Sequence, residues 1–282
     1  RGARAFFPEN TLAGFSYALA VGVDMIELDI QFTKDHVPVV FHDSYMTARV
    51  CRWKDGQEIR GKLPIRQMTY AQTQQFDCGA IQNKGIPLHP VPGATVPTFE
   101  EVIELVLATP GAENVGFKVD IKCESDLRLF PKRSDIARGI LLRTHGYGIQ
   151  ERSIFSSFDA DLLAELRLQD STSQLSLLVA GPIGKNTVKM ATALKVHTVS
   201  PMNFFLNLQG TTGWIKTLQR QGFQVVPWTV NNPKHWTKLI SAGVDGIITD
   251  DPEGLRALLD SSAQNRPAQE SYESLLAPTL TL

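Results

Sequence analysis

"MIELDIQFTKDHVPVVFHD", residues 25–43, is the stretch on which the reading of the fold turns. Its first arm, "IELDI", alternates apolar and acidic residues with the period of two of a strand. A turn falls at Lys34–Asp35–His36, so the second arm returns antiparallel, as the far limb of a hairpin. Centring that turn between Asp35 and His36 places Asp29 opposite His42. The alternation also points Glu27 and Asp29 to one face. Two carboxylates on one buried face repel, and desolvating them without a counter-charge is costly. Such a face is kept for chemistry or for an internal ion-pair network.

Downstream, six β-rich runs alternate with amphipathic helical stretches: 115–122, 153–158, 174–180, 197–201, 224–230 and 246–250. Helices are predicted between and after them, around 134–145, 159–168, 184–194, 211–221, 233–242 and 252–260. This alternation specifies a parallel sheet with crossover helices. With "IELDI" the parallel strands number seven, whereas a closed (β/α) barrel has eight. The chain opens on "RGARAFFPENTLAGF", where Pro8, Asn10 and Thr11 announce a helix only about ten residues in. Arg1 and Gly2 are therefore expected to be the last residues of a first strand, largely missing from the given chain. The expected fold is α/β, a (β/α)8 TIM barrel with a hairpin and a long insertion, 44–97, after strand two. Residues 1–260 are expected to form a single catalytic domain and 261–282 a weakly ordered tail. A connection as long as 44–97 is expected to serve as a lid or substrate wall.

Composition excludes several classes. The chain has 282 residues, a net charge of −1 and 43% hydrophobic residues, so no bulk charge announces a nucleic-acid or membrane-surface partner. No apolar run reaches the ~18 residues that span a bilayer. Cys51, Cys78 and Cys123 lack zinc-ligand spacing. Cys51 and Cys78 flank the polar stretch 52–77, and a disulfide between them would imply an oxidising compartment, periplasmic or extracellular; three free buried thiols are the alternative. The oligomeric state is not legible.

The chemistry-bearing residues gather at the C-terminal strand ends. Glu27 and Asp29 on one strand meet Asp120 on "KVDIK", where Lys122 shares its face. Carboxylates converging at a barrel rim are oxygen ligands suited to one hard divalent cation, Mg²⁺ or Ca²⁺; an ion-pair network such as Glu27–Lys122 is the structural alternative. Beside such a site His42 reads as a general acid or base. Arg1 at the same rim would grip an anionic oxygen. Phe158 reads as core.

In combination, "RGARAFFPENTLAGF", "IELDIQFTKDHVPVVFHD", "WTVNNP" and "GVDGIITDDP" resemble the bacterial glycerophosphodiester phosphodiesterases, from Arg1 to about Leu259. The resemblance implies a distorted (β/α)8 barrel and metal-dependent hydrolysis of glycerophosphodiesters to sn-glycerol 3-phosphate and an alcohol by two histidines. It places metal ligands at Glu27, Asp29 and Asp120, and the second catalytic histidine at His42. Arg1 and Lys122 fall near the phosphate, Glu9 in the site wall, and Trp228 in an apolar wall against substrate. Two departures stand out. The first histidine of the family's His-Arg-Gly motif would immediately precede Arg1, and Asp120 stands where the family usually has glutamate. Two rival functions are a lysophospholipase D-type activity on longer substrates and a non-catalytic phosphodiester-binding barrel that lacks the first histidine.

Overall fold

The structure, a computed structural model, describes residues 1–82, 86–123, 126–208 and 211–264. Thr11 caps α1 (Leu12–Val21) by accepting the Gly14 N–H, and Gly22 ends it in the left-handed conformation that glycine adopts without strain. Then come β1 (Met25–Phe32), β2 (Pro38–Val40), β3 (Tyr45–Met46), β4 (Arg52–Trp53), β5 (Leu63–Pro64), α2 (Tyr70–Thr73), β6 (Phe76–Asp77) and α3 (Phe99–Ala108). The regular alternation follows: β7 (Gly116–Ile121), α4 (Arg133–Gly146), β8 (Ser153–Ser157), α5 (Ala160–Gln169), β9 (Gln174–Val179), α6 (Lys185–Ala193) and β10 (Thr198–Pro201). The described chain closes with α7 (Asn203–Leu208), α8 (Thr211–Arg220), β11 (Gln224–Val225), α9 (Pro233–Ala242) and α10 (Pro252–Gln264). Of the expected tail, 261–264 are helical, and 265–282 lie outside the described residues.

One sheet runs β11-β10-β9-β8-β7-β1-β2, all parallel except β2, which returns antiparallel on β1. The fold is α/β, that of a (β/α)8 barrel. Outward residues such as Leu28, Ile30, Phe117, Val119 and Phe155 pack under the helices with Phe15, Phe99, Ile140, Leu166 and Trp236. The inward rows are polar and small: Asp29, Lys118, Asp120, Ser156, Ser176 and Ser200, all buried.

Two expectations about strands need correction. The hairpin register is Ile30↔Val40 and Phe32↔Pro38, which sets Asp29 opposite Phe41 rather than His42. The turn closes through the Thr33 N–H to the Val37 carbonyl, with His36 left-handed at φ +60°, so its centre is Asp35 itself. Likewise 224–230 forms regular strand only at β11, and 246–250 forms none among the described residues. Pro227 has no N–H to give, and a ladder interrupted there survives as single bonds. Those bonds still hold the segment beside β11: the Asp245 N–H reaches the Val225 carbonyl, Ile248 reaches Pro227, and Val230 reaches Ile248. The Ala5 N–H then bonds the Asp250 carbonyl, while the Arg1 amino group bonds the Glu27 carbonyl on β1.

The segment 44–97 carries an apolar core of its own despite the polar stretch 52–77. Val39, Phe41, Met46, Cys51, Ile59, Ile65, Phe76, Cys78 and Val96 form a second apolar cluster. Two short ribbons, β3 with β5 and β4 with β6, frame it. Cys51 and Cys78 are joined by a disulfide.

Candidate functional site at the strand ends

The parallel register of β1 and β7 builds the site. It sets Glu27 directly across from Lys118, and Asp29 across from Asp120. Like charges directly opposite one another destabilise a sheet unless something neutralises them. Lys122, just past the end of β7, does so: its Nζ lies 2.8 Å from Asp29 Oδ1 and also bonds Asp120. Arg1 approaches from the other side, Nε 3.2 Å from Asp29 Oδ2, with its amino group on the Glu27 carboxylate. Asn10 donates to Asp29 Oδ2 at 2.9 Å. The Glu27–Lys122 pair weighed from the sequence does not form; Lys122 serves the two aspartates instead.

This asymmetry divides the acidities. Burial would raise Asp29, but the charges of Lys122 and Arg1 overcome it and hold the carboxyl well below the usual range. Asp120 goes the other way: burial, with Asp29 and Glu27 nearby, pushes it up against the opposing pull of Lys122. Burial also brings Lys118 down to about 8; its Nζ donates to Ser176 Oγ at 3.0 Å, and that hydroxyl pairs with Ser200 Oγ at 3.0 Å.

A divalent cation fits this donor set. Glu27, Asp29 and Asp120 each offer a carboxylate oxygen, all within 4.8 Å of one another. Even with Lys122 and Arg1 in place, buried Asp120 Oδ1 has no hydrogen-bond partner, nor has Ser156 Oγ, across from it on β8. Unpaired buried acceptors beside other carboxylates are where a hard, oxygen-seeking ion gains most.

His42 sits in a bend past β2 rather than in the ladder, yet its charge is felt at Asp29. Its Nδ1 lies 2.6 Å from Asp43 Oδ1, and Arg49 holds the other Asp43 oxygen at 2.6 Å. The His42 bond first, then the Arg49 bond, carry the Asp43 carboxyl down to about 2. Glu9 lies in the rim wall, 2.5 Å from Arg4 Nε and 3.3 Å from Arg1 Nη1; Arg4 also reaches Asp250 at 3.2 Å. Trp228 is fixed by its indole N–H to the Ser200 carbonyl at 2.7 Å, and meets Phe158 edge to face at 5.6 Å. Phe158 is 47% exposed, so it is a mouth residue and not core.

Sequence reasoning missed Lys118, Asn10, Arg4 and Asp43. Two carried a visible signal: Lys118 lies two residues before Asp120 on the same strand face, and Asp43 adjoins His42. Asn10 and Arg4 come together with the site only through the folded rim.

Comparison with known proteins places this geometry in context. The model of the glycerophosphoryl diester phosphodiesterase family matches residues 1–254. A glycerophosphodiester phosphodiesterase of Caldanaerobacter subterraneus subsp. tengcongensis is 30% identical over 255 residues, 90% of this chain and 93% of that protein. A Silicibacter pomeroyi structure described under the same family name is similar at a TM-score of 0.84 and 28% identity, covering 93% of this chain and 92% of that one. An Oleispira antarctica phosphodiesterase, solved in complex with the product sn-glycerol-3-phosphate, shares the fold at a TM-score of 0.77 and 22% identity, over 92% of this chain and 94% of its own.

Proposed function

We propose, for a chain that belongs to the glycerophosphoryl diester phosphodiesterase family, a metal-dependent hydrolysis of glycerophosphodiesters to sn-glycerol 3-phosphate and an alcohol. The observation that carries the reading is the convergence of Glu27, Asp29 and Asp120 within 4.8 Å, beside Lys122 and His42. The product named in the Oleispira antarctica complex agrees with it. Glu27, Asp29 and Asp120 would hold the ion, which when bound supplies Lewis-acid stabilisation of charge on a phosphoryl oxygen.

The rest falls to the chain's own side chains. Arg1 and Lys122 bring fixed positive charge to the diester anion, preorganised by their bonds to Asp29. With Nδ1 tied to Asp43, His42 exchanges a proton through Nε2 and protonates the departing alkoxide. Asp43 is a positioning residue: it fixes the tautomer and the ring plane. The opposite proton, from the attacking hydroxyl (the glycerol's own or water), needs a second base. The Arg1 amino group rests on the Glu27 carboxylate, so a histidine joined to Arg1 would enter the site at that point.

The test is release of sn-glycerol 3-phosphate from glycerophosphocholine and glycerophosphoglycerol by the chain carrying histidine before Arg1. Release that a chelator abolishes and Mg²⁺ or Ca²⁺ restores is the expected result. Equal release with and without chelator removes the metal from the reading. Binding of the diester without any turnover would favour the non-catalytic barrel.

A further inference from the structure

Two cavities meet at His42. The larger, about 740 Å³, is bordered by the three carboxylates and Trp228. The second, about 530 Å³, lies against Tyr45 of β3 and Lys62 just before β5. Its wall includes Asp43, Ser44, Tyr45, Lys62 and Phe130. Three residues border both cavities: His42, Lys122 and Phe158. A diester has two arms on one phosphorus, and a site with a phosphate grip between two chambers gives each arm its own.

We infer that the second cavity is the subsite for the leaving alcohol, and that it favours a polyhydroxyl or anionic alcohol over a quaternary ammonium one. The inference rests on the phosphodiesterase reading above and deepens it. His42 assigns the side. When the phosphorus–oxygen bond to the alcohol breaks, that oxygen keeps the electron pair and takes the His42 proton, while the attacking oxygen bonds to phosphorus. The proton donor must lie on the leaving arm's side, and His42 stands at the boundary where the second cavity opens from the carboxylate-lined one.

Charge and chemistry assign the class. Tyr45 is one aromatic face of this wall, and it is already taken: Lys62 Nζ lies 5.7 Å from its ring centroid. Among the described residues no carboxylate pairs with Lys62. Among the described residues, the one carboxylate of the wall is Asp43, already engaged by His42 and Arg49. A trimethylammonium group entering here meets the Lys62 ammonium and, among the described residues of the wall, no unengaged carboxylate. Hydroxyls meet the Lys62 ammonium and the Ser44 hydroxyl, and about 530 Å³ leaves room for a ring-sized polyol.

The experiment compares kcat/KM for glycerophosphoinositol, glycerophosphoglycerol and glycerophosphocholine in the histidine-extended protein and its Lys62→Glu variant. The extended protein should favour the two polyol substrates by about ten-fold, the scale of one charge acting across a half-solvated contact. Lys62→Glu should cut or reverse that ratio by at least about ten-fold while hydrolysis continues. An unchanged ratio overturns the inference. A second readout needs no turnover: crystals of His42→Ala soaked with glycerophosphoinositol should show phosphate at Lys122 and the inositol against Tyr45. Inositol against Trp228 overturns the subsite but leaves the phosphodiesterase reading standing. No diester at Lys122 and no hydrolysis of any of the three overturns both.

Discussion

The rim carried by β1 and β7 and the wall carried by residues 44–97 face the same space, but different forces make them. On the rim, the strand ladder comes first: pairing Glu27 with Lys118 and Asp29 with Asp120 fixes four charged side chains before any of them interacts. The energetic problem is then electrostatic, solved by Lys122, Arg1 and Asn10. In the insertion the paired strands are two residues long and the frame comes from a small apolar cluster and one disulfide. There the problem is conformational entropy, and a cross-link that shortens the unfolded chain's reach addresses it. His42 and Asp43 sit where the two regimes join, in the short connection between β2 and β3.

The rim breaks most severely at Asp29. Asp29→Ala removes the fully buried carboxylate that Lys122 and Arg1 share, and breaking a buried pair costs about 3–5 kcal/mol. Thermal or urea unfolding should register a loss of that size, together with loss of turnover. A variant as stable as the parent would mean that Lys122 and Arg1 are satisfied by other groups, and that the rim is not held by charge. The effect of His42→Ala is confined to chemistry: kcat should fall by about 10²–10⁴-fold with KM nearly unchanged. Normal turnover in that variant would leave His42 as a structural neighbour of Asp43 alone.

The insertion is broken by Cys51→Ser with Cys78→Ser. The bridge closes a 27-residue separation, for which the loop-entropy model gives about 3.5 kcal/mol. The loss should be local. Amide exchange should quicken across Tyr45–Phe76, while β7 and β8 keep their protection. Uniform quickening would show that barrel and insertion unfold as one unit, and the contrast between the two regimes would fall.

The same contrast explains what was legible in the sequence. A period of two on "IELDI" and "KVDIK" identifies inward carboxylates, because the strand imposes its geometry on any residue placed there. The register of the hairpin was harder: one left-handed residue, His36, moves the turn centre by half a residue and every pairing by one. The insertion has no period to read, since its β residues pair across 17 to 25 positions of chain. Pro227 looks harmless within a β-rich run, and only the ladder shows that its missing N–H ends regular pairing. Phe158 closes an apolar strand, and nothing in its neighbours says that the helix beyond leaves it at the mouth.

The smallest expected effect tests the joint between the two regions. Asp43 is half-buried, and its folded value of about 2 lies below the ordinary 3.8 because His42 and Arg49 favour the ionised form. A lowered carboxyl contributes stability that is fully present above the unfolded value and is lost as pH falls through the folded one. The window is therefore about pH 4 down to about 2. Over it the parent should lose stability more steeply than Asp43→Asn, which has no proton to take up there. Solvent around a half-buried group screens the pair, so the difference should be well below that of a buried bridge, about 1 kcal/mol or less. Urea midpoints measured at intervals across that window give the two slopes. Above it the variant should differ chiefly in kcat, because an amide can still accept from Nδ1–H but no longer stabilises the charged ring. Parallel slopes would show that Asp43 holds His42 no more tightly in the folded protein than in the unfolded chain, and the joint would then owe its geometry to the bend after β2 rather than to this pair.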